Sequence, residues 1–66
     1  MLTPLGDMVF EALENAEHNG FPMWDSEVVE DIVNDLRDYD SYLAQIKVEN
    51  LRMAVLEVLM YHDTIS

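Results

Sequence analysis

Apolar residues recur every third or fourth position in three successive runs of this 66-residue chain, which is the spacing of one buried face of an α-helix. In the first run, Thr3 can cap the helix and Pro4 suits its first position. Asn19-Gly20 supplies the left-handed residue that stops a helix. We therefore predict a first helix over residues 4–18. Its apolar stripe comprises Leu5, Met8, Val9, Ala12, Leu13 and Ala16.

The second run predicts a helix over residues 26–38. Asp25 or Ser26 can cap it, and Trp24, just before the cap, is placed to pack on Val29 as a hydrophobic staple. Its β-branched residues would also suit a strand, but the segment "VVEDIV" lacks alternation of apolar and polar positions. The apolar stripe of this helix comprises Val28, Val29, Ile32, Val33 and Leu36.

The third run predicts one long helix over residues 41–62, because Asp40 or Ser41 can cap it and no Gly or Pro follows before His62. A break between Lys47 and Asn50 is left open. Its core-facing residues are Val48, Leu51, Val55, Val58, Leu59 and His62. The expected fold class is all-α: a small three-helix bundle that forms a single helical domain over residues 1–66.

The third helix also carries a second apolar stripe, which only Glu49 interrupts. It comprises Tyr42, Ile46, Met53, Leu56 and Met60. A helix that is apolar on two sides is buried on two sides. Either the third helix lies centrally, with one neighbour on each stripe, or the second stripe meets a second copy across a two-fold axis. The second arrangement predicts a homodimer, because a chain of this length covers little apolar surface by itself.

The charge of the chain restricts its partners. Fourteen acidic residues against three basic ones give a formal charge of −11, which argues against direct binding to nucleic acid or to an anionic membrane and favours a basic protein. Half of the residues are hydrophobic, so the charge does not indicate a disordered tail. The chain shows neither a signal-peptide pattern nor an apolar run long enough to span a bilayer, and we expect a cytoplasmic protein.

Several carboxylates of the second helix stand at positions where they destabilise the helix. Asp35 and Asp38 lie at the end of the helix where a carboxylate opposes the helix dipole, and Asp31 has a like charge four residues to either side. The usual interpretation is a solvated face; the alternative is a binding surface. Phe10, which is predicted to project away from the first stripe, and Tyr39 would add apolar contacts. The candidate partner-binding residues are Glu27, Glu30, Asp31, Asp35 and Asp38 with Glu11, Glu14 and Phe10.

Such an array of fixed negative charge imitates a run of phosphates and should be attracted to Arg- and Lys-lined grooves. The leading hypothesis is therefore a nucleic-acid mimic that inhibits or regulates a nucleic-acid-handling protein by occupying its basic surface. Small acidic inhibitors encoded by phages act in this way as a class, and the comparison is an analogy. The alternatives are a structural or adaptor subunit that acts through the second stripe of the third helix, and an acidic antitoxin that neutralises a basic toxin.

No motif identifies a reaction, a metal site or a cofactor, and we expect none of the three. Residues 38–49 match a calcium-binding loop at their first, third and twelfth positions, but Leu43 stands where that loop requires glycine. His18 and His62 lack the spacing of metal ligands, and the chain contains no cysteine. The serines have no histidine nearby to activate them.

Overall fold

The computed structural model describes residues 2–21, 24 and 28–65. Within these ranges the chain forms α1 (Pro4–His18), α2 (Val29–Tyr39) and α3 (Val48–Ile65), with a short 3-10 helix at Leu43–Gln45 between α2 and α3. No strand occurs in this part of the chain. The predicted all-α fold with three helices is confirmed.

The first helix has the predicted bounds, because local chemistry sets both of its ends. The Thr3 hydroxyl accepts a hydrogen bond from the Gly6 N–H at 3.1 Å, and Pro4 occupies the first turn. At the other end, Gly20 adopts a φ of +88°, a conformation that glycine takes at little cost. The predicted cap and the predicted stop are both confirmed.

The predicted start of the second helix, residue 26, is wrong. The helix begins at Val29, and Val28 is its N-cap in an extended conformation, with φ −108° and ψ 114° and no side-chain capping bond. A β-branched residue such as Val28 accepts extended backbone readily. Its carbonyl accepts the Asp31 N–H at 3.0 Å, which starts the helix without a polar cap. The proposed caps Asp25 and Ser26 lie outside the described residues.

The predicted helix over residues 41–62 is interrupted before α3 begins. Asp40 Oδ1 accepts hydrogen bonds from the next two backbone N–H groups beyond Ser41, at 2.9 and 3.4 Å, so the predicted Asp40 cap serves the 3-10 segment. Ile46 is extended, with φ −79° and ψ 143°, and ends that segment. The interruption turns Leu43 fully into the core and packs Ile46 against it. Burial of these two side chains is the physical reason that one long helix does not form.

Both α1 and α2 pack on α3 around one small apolar core. The core uses the predicted stripes, but the partly exposed Met8 and the exposed Val28 contribute little, and Ala54 is an addition that the stripe analysis did not include. The buried residues are Val9, Ala12, Leu13, Ala16, Ile32, Val33, Leu36, Leu43, Leu51, Ala54, Val55 and Val58.

A cluster of aromatic rings joins α1 to α3. Phe10 contacts Trp24 and Tyr61 edge to face, with ring centroids 5.7 and 5.8 Å apart, and Trp24 stacks on His62 at 4.3 Å. The expectation that Phe10 projects away from the packed surface is therefore corrected: its ring is half-buried and packs on the core. The α3 ring that contacts it, Tyr61, is more than 50 residues distant in sequence, so the periodicity of α1 alone could not reveal this contact.

Candidate binding surfaces

The outward side of α2 carries three carboxylates, Asp31, Asp35 and Asp38. They lie opposite the buried residues Ile32 and Leu36, and all three are exposed. None of them forms an ion pair within residues 2–21, 24 and 28–65. Because no basic side chain in the described residues pairs with them, these carboxylates are accessible to an approaching cation. Of the two other predicted carboxylates of this region, Glu27 lies outside the described residues.

Glu30, which the sequence grouped with these carboxylates, is engaged by α3. Arg52 Nε donates to Glu30 Oε1 at 2.5 Å and Arg52 Nη2 donates to Glu30 Oε2 at 3.2 Å, a two-point contact between guanidinium and carboxylate. The hydrogen bond from Arg52 lowers the pKa of Glu30 from its ordinary value. The contact between Glu30 and Arg52 therefore contributes fully to stability at pH values above the ordinary pKa of glutamate. This contribution is lost as the pH falls through the lowered pKa of Glu30. Glu30 joins α2 to α3 and is not a free charge.

The acidic side of α1 has no basic residue to compensate it. Asp7, Glu11, Glu14 and Glu17 are all exposed, and the helix contains neither Lys nor Arg. The three basic residues of the chain all occur after the start of α2. The predicted residues Glu11 and Glu14 are thus accessible, on a helix whose only ionisable side chain other than carboxylates is His18.

Arg37 is held against the protein by the 3-10 segment. Its Nη2 donates to the Ala44 carbonyl at 3.4 Å, while its Nε is buried with no hydrogen-bond partner in the described part of the chain. A shallow depression beside it is lined by Asn34, Arg37, Asp38 and Ala44. Although it lies between Asp35 and Asp38 in sequence, Arg37 forms no ion pair with either carboxylate within the described residues.

Of the five residues predicted to form the second apolar stripe of the third helix, four are exposed. Met53 and Met60 expose 69% and 71% of their surface, and Leu56 and Tyr42 are also accessible, whereas Ile46 packs against the core. A central α3 with a neighbour on each stripe is therefore contradicted, because α1 and α2 share the other face. We keep the name "α3 stripe" for Met53, Leu56 and Met60, which remain on the helix.

A feature that sequence reasoning missed is an exposed pair of rings where the C-terminal ends of α1 and α2 meet. Phe21 and Tyr39 contact edge to face, with centroids 6.0 Å apart, and the Asn19 side-chain amide donates to the Tyr39 hydroxyl at 3.0 Å. The sequence indicates Tyr39 only as an apolar residue beside the carboxylates of the second helix. The position of Phe21 directly after the Asn19-Gly20 stop is the signal that could have drawn attention to it.

The described residues contain no group of three or more His, Cys, Asp or Glu side chains arranged to hold a metal ion. None of the helices in that part of the chain combines the length and the apolar content needed to cross a bilayer. The chain matches no protein-family model, and comparison with curated proteins and with solved structures finds no match.

Proposed function

We propose that this protein is a non-enzymatic, cytoplasmic binding module that occupies the basic surface of a nucleic-acid-handling protein and so inhibits or regulates it. The observation that carries the proposal is the set of carboxylates on α1 and α2 that are exposed and form no ion pair with any described residue. Asp31, Asp35 and Asp38 on α2 and Glu11 and Glu14 on α1 are its central members.

The mechanism is competition for one surface. Carboxylates on two rigid helices hold negative charge at set positions, as phosphates do along a nucleic acid, and a groove lined by Arg and Lys attracts both. Arginines would pair with the aspartates of α2 through two parallel hydrogen bonds. The complex is stoichiometric, since no chemical step is involved, and its association is accelerated by long-range attraction.

The test compares two variants that raise the net charge equally. One carries Asp35→Asn and Asp38→Asn on α2, and the control carries Glu49→Gln and Asp63→Asn on α3. Each is used to capture proteins from nuclease-treated cell extract at low and at moderate salt. A protein retained by the wild type is then purified and mixed with labelled nucleic acid. Wild type or variant is added to this complex, and the release of the nucleic acid is measured.

We expect the wild type and the α3 control to retain a basic protein and to displace its nucleic acid, with an affinity that falls as salt rises. The α2 variant should bind that protein more weakly. Capture that is equal for both variants and insensitive to salt would mean that the acidic surface serves only solubility.

For quaternary structure, we propose that two copies pair through the α3 stripe, with Tyr42 at its edge. The support is the accessibility of Met53, Leu56 and Met60, side chains that adapt well to a partner surface. Sedimentation over a range of protein concentrations should show a species of twice the chain mass, and Met60→Glu should remove it. A monomer at every concentration would contradict the pairing.

The second candidate function is a structural or adaptor subunit that acts through the α3 stripe. The same exposed apolar residues favour it, and the acidic surface would then only keep the protein soluble. Apolar burial depends little on ionic strength, so this function predicts a partner that is retained at both salt levels and lost with Met60→Glu.

A further inference from the structure

We propose that the exposed rings of Phe21 and Tyr39 form an anchor for an arginine side chain of the basic partner. This inference rests on the proposed function, because it specifies where and how the acidic surface holds its partner. It concerns a pair of aromatic side chains that the core does not use: Phe21 is 55% exposed and Tyr39 is 36% exposed.

The anchor is ordered before any partner arrives. The Phe21 backbone N–H donates to the Ala16 carbonyl at 2.8 Å, and the Tyr39 hydroxyl accepts the Asn19 amide at 3.0 Å. The edge-to-face contact between the two rings, at 6.0 Å, adds a third restraint. A contact surface that is already ordered loses less conformational entropy on binding, which favours affinity.

Negative charge leads along both helices to these rings. Asp31 and Asp35 precede Tyr39 by two turns and one turn of α2 and lie on the same side of the helix. On α1, Glu11 stands two turns before Asn19, the residue that contacts Tyr39. Both helices are free of Lys and Arg on these sides, since Arg37 turns toward the 3-10 segment. A cation attracted to the carboxylates of either helix therefore comes close to the rings of Phe21 and Tyr39, which lie at the C-terminal ends of both helices.

The combination of rings and carboxylates suits a guanidinium group. Arginine is planar and weakly hydrated, so it can stack on an aromatic face while its N–H groups pair with a carboxylate. The ammonium group of lysine is compact and strongly hydrated and gains less from a ring. Nucleobases, which also stack on aromatic side chains, would bring phosphates against the aspartates and are repelled. The surface therefore fits an arginine-bearing protein segment.

The test uses hexa-arginine and hexa-lysine peptides as probes, with binding measured by calorimetry at two salt concentrations. The key variant is Phe21→Leu with Tyr39→Leu, which retains apolar side chains but removes both rings. Tyr61→Leu is the matched control, because Tyr61 is as exposed as Tyr39, at 37%, and also makes an edge-to-face contact. Circular dichroism checks that each variant is folded.

We expect the preference of the wild type for arginine over lysine to fall about two- to fivefold in the double variant and to persist in Tyr61→Leu. Both peptides should still bind the double variant in a salt-dependent way. An unchanged preference, or an equal fall in the control, would overturn the inference. If the double variant does not fold, Phe21→Leu alone decides the question, since the Phe21 side chain makes no hydrogen bond. This single substitution should lower the preference for arginine by a smaller factor than the double variant.

The same peptides separate this inference from the proposed function. Asp35→Asn with Asp38→Asn should weaken both peptides whether or not the rings matter. If these substitutions change neither affinity, the acidic surface itself is not a binding surface. If they weaken both while the ring substitutions leave the preference intact, the proposed function stands and the arginine anchor is wrong.

Discussion

At the scale of single residues, a contact between the N-terminus of α1 and α3 lies directly beside Gly6. A Cβ atom placed on Gly6 would lie 2.5 Å from Glu57 Oε1 and 3.2 Å from the Thr3 hydroxyl. That carboxylate accepts the Thr3 N–H at 2.6 Å and the Thr3 hydroxyl at 3.1 Å. The N-terminus of α1 is thus joined to α3 by the Glu57 carboxylate, which occupies the position that a side chain at residue 6 would take.

We predict that Gly6→Ala lowers the free energy of unfolding by about 1 kcal/mol. The displaced carboxylate of Glu57 loses bonds worth about 1.5–3 kcal/mol, and the better helix propensity of alanine returns at most about 1 kcal/mol. In a Glu57→Ala background the obstruction is absent, so Gly6→Ala should instead stabilise by about 0.5–1 kcal/mol. Urea unfolding of the four proteins measures both effects. The same sign in both backgrounds would show that Glu57 is not the obstruction.

At the scale of the element, α2 carries carboxylates at both of its ends with opposite consequences. Asp31 lies in the first turn, where the helix dipole favours negative charge, and Asp38 lies in the last turn, where the dipole opposes it. Both are exposed and unpaired within the described residues. The proposed binding surface therefore includes, in Asp38, a residue that lowers the stability of its own helix.

We predict that Asp38→Asn raises the free energy of unfolding by about 0.3–1 kcal/mol at low ionic strength. Asp31→Asn should lower the free energy of unfolding, but by a smaller amount than Asp38→Asn raises it. The reason is that the substitution also relieves the repulsion between Asp31 and Asp35, worth about 0.2–0.5 kcal/mol. Both changes should shrink at high salt, since exposed charges are screened. Thermal and urea unfolding give the comparison. A loss of stability with Asp38→Asn would mean that this carboxylate has a structural partner.

At the scale of the whole molecule, the core and the α3 stripe should respond differently to truncation. Leu13→Ala removes a fully buried side chain and should cost about 2–5 kcal/mol. A domain of this size has a total stability of roughly 3–10 kcal/mol, so the loss is a large part of it. Leu56, which is 44% exposed, should cost less than about 1 kcal/mol when truncated in dilute solution.

The proposed pairing of two copies adds a dependence on concentration. If the α3 stripe is buried in a dimer, the cost of Leu56→Ala should rise with protein concentration, whereas the cost of Leu13→Ala should change little. Urea unfolding at two protein concentrations, about a hundredfold apart, provides the measurement. A cost for Leu56→Ala that stays constant would place this residue on a free monomer surface.

The sequence by itself determined the features that depend on a few consecutive residues. Thr3 and Pro4 start α1, and Gly20 stops it, through hydrogen bonds and backbone angles within one turn. Helical periodicity also separated the buried stripes from the acidic sides, since which residues share a face follows from the 100° step alone. These contacts need no information about where the other helices lie.

Only the tertiary structure decided which groups remain free to bind. The pairing of Glu30 with Arg52, the burial of Phe10 under Tyr61, and the contact of Tyr39 with Phe21 each join residues 18 or more positions apart. The same holds for the interruption before α3, where burial of Leu43 outweighs the helical preference of its neighbours. The physical reason is that these contacts depend on the relative placement of the helices, which no local pattern contains.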